Sequence, residues 1–227
     1  MAFNDDSFIR EVNEELRSDH ARNVWRRFGG YVVGAAVLLV LATAGYRGYE
    51  YWQDHRSSGA GDKFLAALKL ADEKKTDEAL AALAQLEKDG HGAYPVLARM
   101  RAATLQAEKG DTAAAVAAFT EIGKDTAIPA AVREAARLRA GWLLVDNGTY
   151  EQVSAEVEEM AVPQNALRHS AREALGLAAY KAGDAVKARQ WFQQIVDDPQ
   201  APRNVANRAQ MMLDIITASG KAPVAQG

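Results

Sequence analysis

The sequence predicts an all-α protein in which one membrane-spanning helix is followed by a right-handed solenoid of about four helical hairpins and a C-terminal capping helix. Three observations predict this architecture: an uncharged run from Phe28 to Tyr46, four copies of one helix-turn-helix pattern, and a final segment with helical apolar spacing. Apolar residues make up 48% and charged residues 25% of the 227 residues, a normal globular balance that predicts one folded domain.

Residues 1–27 are predicted to form a short cytoplasmic arm. Phe8, Ile9, Val12 and Leu16 recur at a spacing that places them on one stripe of a helix. We therefore expect a short amphipathic helix, which either docks on a partner or the membrane surface or is a solvated lead into the anchor.

Residues 28–46 are predicted to be a transmembrane helix. These 19 uncharged residues, rising about 1.5 Å each, span roughly the 30 Å hydrocarbon core. Aromatic residues flank the run on both sides, as at membrane interfaces: Trp25, Phe28, Tyr46, Tyr49, Tyr51 and Trp52. A buried soluble helix and a signal peptide cleaved after Ala44 are the alternatives. The acidic residues before the run argue against the signal peptide, which usually starts with a short positive region.

Positive charges in the flanks predict the orientation of this helix. More basic residues precede the run than follow it within a similar distance: Arg10, Arg17, Arg22, Arg26 and Arg27, against Arg47, Arg56 and Lys63. The N-terminus is therefore expected in the cytoplasm and the C-terminal domain outside it. Within the run, Gly30 and Gly34 form a GxxxG pair, a weak motif for contact with another transmembrane helix.

Residues 47–60 are predicted to be a juxtamembrane linker, residues 61–219 the repeat domain and residues 220–227 a disordered tail. Four segments, starting at Lys74, Lys109, Asn147 and Ala182, share one pattern. Equivalent positions in them, Ala79, Ala115, Val153 and Ala188, are separated by 36, 38 and 35 residues, as in helical-hairpin solenoids.

The turn of each hairpin carries its own signals. Gly110, Gly148 and Gly183 align as turn residues and are expected to adopt positive φ, with Lys74 in the glycine's place in the first copy. An aspartate after Gly110 and after Gly183 is expected to cap the second helix. A final helix from about Pro202 to Ser219 is expected to cap the stack with its apolar residues: Val205, Met211, Met212, Leu213, Ile215 and Ile216.

These residues resemble the tetratricopeptide repeat, whose pattern has Leu-Gly in the first helix, Gly-Asp at the turn, and Ala then an aromatic in the second helix. The last copy fits best, with Leu175-Gly176, Gly183-Asp184, Ala188 and Phe192. The second copy fits nearly as well, and the first and third are degenerate.

The whole arrangement resembles the YfgM-like ancillary subunits of the SecYEG translocon. The resemblance rests on the arm ending in Arg26-Arg27, the glycine-rich anchor with its aromatic flank, the stretch HGAYPVLARMRAATL from His91, and the last repeat with its capping helix. It implies a bacterial inner-membrane protein with periplasmic repeats. Its implied partners are Sec translocon subunits, a membrane-anchored periplasmic chaperone and newly exported client proteins. The arm is longer than expected for that family.

Projecting the repeats onto the first helix of each hairpin predicts an apolar groove that could bind a segment of a partner. Its residues are Met100, Leu138, Trp142, Val145, Leu177 and Tyr180. Core packing beneath a neighbouring hairpin or the capping helix is the alternative explanation, and the pattern slightly favours it.

A basic residue also recurs at one position of the first helices, as Lys63, Arg99, Arg137 and Arg172. A structural role, with the cationic stems covering apolar surface, is favoured over attraction of acidic partner segments.

The sequence contains no signature of catalysis or of a cofactor. HExxH, GxSxG, GxxxxGK[ST] and GxGxxG are absent, there is no cysteine, and no histidine pair has metal-clamping spacing. The net charge of -3 argues against nucleic acid as a partner. We therefore expect no enzyme, no cofactor, no metal and no small-molecule substrate. The alternatives are a scaffold for another envelope complex, such as cell-wall or division machinery, and a soluble periplasmic adaptor released by cleavage.

Overall fold

The computed structural model describes residues 5–220, with side chains for residues 25–52 and 58–220. All regular elements in these residues are helical, which confirms the predicted fold class. The helices are α1 Asp5–Asp72, α2 Thr76–Asp89, α3 Tyr94–Glu108, α4 Thr112–Lys124, α5 Ala130–Asn147, α6 Tyr150–Val157, a 3₁₀ turn Glu158–Met160, α7 Arg168–Lys181, α8 Ala185–Val196 and α9 Arg203–Ala218. The chain divides into two compact units, Met1–Arg56 and Ser57–Gly227.

The first unit contains an apolar helical segment from Trp25 to Trp52, with a mean hydropathy of 1.9. This segment is long and apolar enough to cross a membrane. Its large apolar side chains, such as Tyr31 and Leu39, are exposed within the unit. A helix that is apolar on all sides requires nonpolar surroundings.

The predicted boundaries in this part of the chain stay predictions. Residues 47–60, expected as a linker, are helical and belong to α1. The backbone of the arm is helical from Asp5 onward, but the side chains of its predicted apolar stripe lie outside the described residues. Residues 221–227 of the predicted tail also lie outside them.

The second unit is a stack of consecutive helical hairpins. The end of α1 pairs with α2, where Ala67 and Ala71 pack with Ala79 and Leu83. The next hairpins are α3 with α4, α5 with α6, and α7 with α8, and each hairpin packs on the following one. The stack therefore holds four hairpins, in agreement with the four copies in the sequence.

Small residues allow the two helices of a hairpin to approach closely. The aligned positions Ala79, Ala115, Val153 and Ala188 are fully buried. On the facing helix, a Cβ added at Gly176 would lie 2.8 Å from the ring of Phe192. The two helices of the last hairpin can therefore approach this closely because Gly176 faces the Phe192 ring.

The turns follow the predicted chemistry in three of the four hairpins. Lys74, Gly110 and Gly183 have φ of 64, 93 and 83°, so Lys74 occupies the left-handed position that glycine fills elsewhere. The side chains of Asp111 and Asp184 accept hydrogen bonds from backbone N–H groups at the start of α4 and α8.

The third turn differs from the prediction. Gly148 has φ of -117°, so the expected positive φ is wrong there. Thr149 and Gln152 form a reciprocal capping box that starts α6 from an extended backbone instead. Glycine is still favoured, because a Cβ at this position would lie 2.8 Å from the Leu144 side chain and 3.0 Å from the Leu144 carbonyl oxygen.

The capping helix α9 covers the open face of α8. Val205, Ala209, Leu213 and Ile216 are buried against the side chains of α8. Met211 is 62% exposed, and Ile215 is also exposed, so these two predicted capping residues lie on the outer surface of α9.

Candidate protein-binding site

An open cavity of about 370 Å³ lies between α3 and α5. Its walls are mainly hydrocarbon: Thr104 and Ala107 come from α3, and Trp142 and Leu143 from α5. Phe119 of α4, itself buried, closes the inner side, and Arg139 of α5 completes the lining. We call this space the α3/α5 cavity.

Two features of the helices create this space. Trp142 packs against the core cluster of the third and fourth hairpins, whereas Leu143 packs against the cluster of the second and third. The facing positions on α3 carry the small side chains of Thr104 and Ala107. The cavity is therefore bounded by large residues on one side and by small residues on the other.

Arg139 bridges the cavity from α5 to α3. Its Nη1 donates a hydrogen bond to Thr104 Oγ1 at 3.1 Å, and Thr104 Oγ1 donates in turn to the Met100 carbonyl at 3.0 Å. The guanidinium carbon lies 5.9 Å from the centroid of the Phe119 ring, within the range of a cation–π contact. The cation is thus held beside an aromatic surface while the residue stays exposed.

The predicted groove residues occupy different environments. Trp142 is partly buried and lines the α3/α5 cavity. Met100, Leu138 and Leu177 are partly buried against the core clusters. Binding by these residues stays a prediction.

The remaining two predicted groove residues differ in burial. Val145 is only 8% exposed and is part of the core, so it does not line an open surface. Tyr180 is 39% exposed on α7. The capping helix α9 packs on α7 and α8, so the described part of the chain does not place it over the α3/α5 cavity.

Of the six lining residues, the sequence predicts only Trp142 and misses Thr104, Ala107, Phe119, Arg139 and Leu143, although signals were partly present for some of them. Ala103 of α3 aligns with Gly141 of α5 in the repeat. Thr104 and Ala107 therefore align with Trp142 and Val145, but they are not large apolar residues. Phe119 occupies the repeat position of Phe192 and is buried in the core, and this burial gives no signal of a cavity. Arg139 had no signal, because its role depends on the separation of two helices.

In the transmembrane segment, Gly30 and Gly34 have open space around them within the first unit. A helix contact at this pair stays a prediction.

The recurring basic residue joins the two helices of a hairpin. Arg99 donates to Asp125, which follows α4, at 2.7 Å. Arg137 donates to Glu159 at 2.6 Å and to the Ala155 carbonyl at 2.9 Å, at the end of α6.

The same contact recurs in the last hairpin, where Arg172 donates to the Gln194 carbonyl at 3.1 Å, near the end of α8. In the first hairpin, Lys63 is exposed. Three of the four copies thus fasten the end of the second helix to the first.

These contacts change the acidity of the acceptor carboxyls. The Arg99 hydrogen bond lowers the pKa of Asp125, with a smaller effect from the Ala127 N–H, and the Arg137 hydrogen bond lowers the pKa of Glu159. Both carboxylates therefore stay ionised in the folded protein well below neutral pH.

A denser charge network lies where α7 meets the segment after α8. Asp198 Oδ2 lies 2.8 Å from Arg168 Nε, 2.9 Å from His169 Nε2 and 3.6 Å from Arg172 Nη1. The Arg168 hydrogen bond, followed by the Gln200 N–H, holds the pKa of Asp198 far below its usual value. The carboxylate is therefore committed to structural contacts with these side chains.

Stacked hairpins closed by a capping helix define the chain as a helical repeat protein. A family model described as a tetratricopeptide repeat-like domain matches residues 22–218. The chain therefore belongs to the tetratricopeptide repeat-like family, whose domains are typically non-catalytic modules for protein–protein interaction. The matched range includes the apolar helix and all four hairpins. No curated protein and no solved structure matches the chain.

Proposed function

We propose that this chain is a membrane-anchored protein-binding module that holds its repeat domain beside the membrane. The observation that carries the proposal is the open α3/α5 cavity, lined by Trp142 and Phe119, in a domain of a protein-interaction family. Aromatic side chains in concave sites are common anchors for partner segments.

In this proposal, the apolar helix anchors the repeat domain to the membrane. As a transmembrane anchor, Trp25–Trp52 would confine the repeats to the membrane surface and raise their local concentration near membrane partners. The excess of arginines before the anchor supports a cytoplasmic N-terminus, with the repeats on the other side of the membrane. The resemblance to the YfgM-like subunits supports a bacterial inner membrane, so this side is proposed to be the periplasm.

The partner complex is proposed to be the Sec translocon, with a periplasmic chaperone and newly exported proteins as further partners. The resemblance of the arm, anchor and last repeat to the YfgM-like subunits supports this choice. The competing function is a scaffold for another envelope complex, such as cell-wall or division machinery, because it needs the same anchor and the same repeats.

Site-specific photo-crosslinking in intact membranes tests the proposal. A benzoyl-phenylalanine at Gly34, where the helix surface is open, reports on neighbours of the anchor, and one at Trp142 reports on the cavity. Val32, on the opposite face of the anchor helix, and the exposed Asn204 on α9 are matched control positions.

Translocon subunits captured from Gly34, with a chaperone or exported chains captured from Trp142, are the expected result. Capture of division or cell-wall proteins without translocon subunits would contradict the translocon assignment and favour the scaffold. No capture at Trp142 above the Asn204 control would contradict the binding role of the cavity.

A further inference from the structure

Arg139 differs from the arginine at the matching repeat position of α3. Arg101 lies two residues before Ala103, as Arg139 lies two residues before Gly141. Arg101 forms an ion pair with Glu108 at 3.1 Å. Arg139, in contrast, has a hydroxyl and an aromatic ring as neighbours, and no ion pair with a carboxylate among the residues whose side chains are described.

The guanidinium of Arg139 is exposed and has hydrogen-bond donors that the described residues do not use. A guanidinium has five N–H donors in a planar fork that matches a carboxylate. Only the hydrogen bond to Thr104 uses one of these donors in the described structure. The Phe119 ring and the α3 contact hold the fork in place, so binding a carboxylate would immobilise little additional side chain.

The apolar space and the cation lie within the reach of one short peptide segment. The guanidinium carbon is 5.9 Å from the Phe119 ring centroid at the inner side of the cavity. Residues i and i+2 of an extended chain project from the same face about 7 Å apart. A large apolar side chain in the cavity would therefore place a residue two positions away next to Arg139.

We propose that the α3/α5 cavity binds a partner-protein segment in which a large apolar side chain is separated by one residue from an aspartate or glutamate. The apolar side chain fills the space between Trp142 and Phe119, and the carboxylate pairs with Arg139. This inference deepens the proposed function and rests on it, because it specifies which segments the module selects.

Selection from random peptides tests the proposal with the full-length protein in nanodiscs. Displayed nonapeptides are selected on the wild type, on Arg139→Gln and on the control Arg203→Gln, with empty nanodiscs as the background. Arg203 is exposed on α9 away from the cavity, so its variant loses the same charge without touching the site. Circular dichroism and the thermal midpoint establish that each variant is folded.

The wild type and Arg203→Gln are expected to enrich peptides in which one residue separates an aromatic or large aliphatic residue from an acidic residue. Arg139→Gln should bind the best of these peptides about fivefold more weakly, the upper range for an exposed ion pair. The affinity difference should shrink as salt is raised. Arg139→Glu should recover binding when the acidic residue of the peptide is replaced by lysine.

Four outcomes would overturn the proposal. Enriched peptides without acidic residues, or equal affinities of wild type and Arg139→Gln, would refute the carboxylate preference while leaving a protein-binding cavity intact. Native mass spectrometry showing a fatty acid bound to the wild type but not to Arg139→Gln would assign the site to a lipid. No enrichment over empty nanodiscs would count against both this inference and the proposed function.

Discussion

An ion pair joins the capping helix to α7, and its removal has a calculable cost. Arg208 of α9 contacts Glu173 of α7 through two hydrogen bonds, Nε to Oε1 at 2.6 Å and Nη2 to Oε2 at 2.7 Å. The Glu173 side chain is 6% exposed and the Arg208 side chain 51% exposed. Arg208→Met keeps the length and helix propensity of the side chain but leaves a buried carboxylate without its cation.

The expected loss of stability lies between two limits. Breaking a fully buried pair costs about 3–5 kcal/mol, and an exposed pair contributes at most about 1 kcal/mol. Because Glu173 is buried and Arg208 is half-exposed, we expect Arg208→Met to lower the free energy of unfolding by about 2 kcal/mol. For a domain of this size, this corresponds to a fall in thermal midpoint of about 4–8 °C.

Urea unfolding and thermal melts of the full-length protein in detergent micelles, followed by circular dichroism, measure this loss. Arg203→Met on the same helix is the matched control and should change the free energy of unfolding by less than about 0.5 kcal/mol. Glu173→Met combined with Arg208→Met should be more stable than Arg208→Met alone, because no charge is then left buried. Equal stability of Arg208→Met and Arg203→Met would refute the reasoning.

Three further variants test the packing and the charges of the repeat stack. Lys181→Met removes a cation whose Nζ contacts three carbonyl oxygens at the end of α5, and it should lower the free energy of unfolding by about 1 kcal/mol in urea. Gly176→Ala places a methyl group 2.8 Å from the Phe192 ring and should cost about 1–3 kcal/mol, with recovery when Phe192→Leu is added. Because the folded-state pKa of Asp198 is depressed by Arg168, its contribution to stability should be complete above about pH 5 and lost progressively as the pH falls further. Asp198→Asn should therefore lower the thermal midpoint at pH 7. Between about pH 5 and pH 2, the thermal midpoint of this variant should fall less than that of the wild type.

The fold was predictable because each hairpin repeats the same local chemistry. Gly110, Gly183 and the substitute Lys74 identified three turns, and the structure places all three at positive φ. Gly148 was assigned the same conformation from its alignment alone. The spacing of Thr149 and Gln152 was a readable capping-box signal that indicated a different start for α6.

The candidate site was less predictable, because its shape depends on contacts between hairpins. Helical periodicity identified the row of Trp142, but it could not determine how far α3 stands from α5. It also placed Val145 on the same surface, although this residue is buried in the core. Burial depends on which neighbouring helix covers a position, and residue spacing along one helix does not contain that information.

The contrast between the middle and the end of the stack supports a binding role for the cavity. At the end, α7 to α9 are joined by the contacts of Asp198 and by the Glu173 pair, and the small residues there are matched by large partners such as Phe192. Between α3 and α5, Thr104 and Ala107 leave space that larger side chains would fill. Filling such space with apolar atoms generally stabilises a fold. Among the residues whose side chains are described, the Arg139 guanidinium beside this open cavity has no carboxylate partner, and this combination is what the proposed peptide site requires.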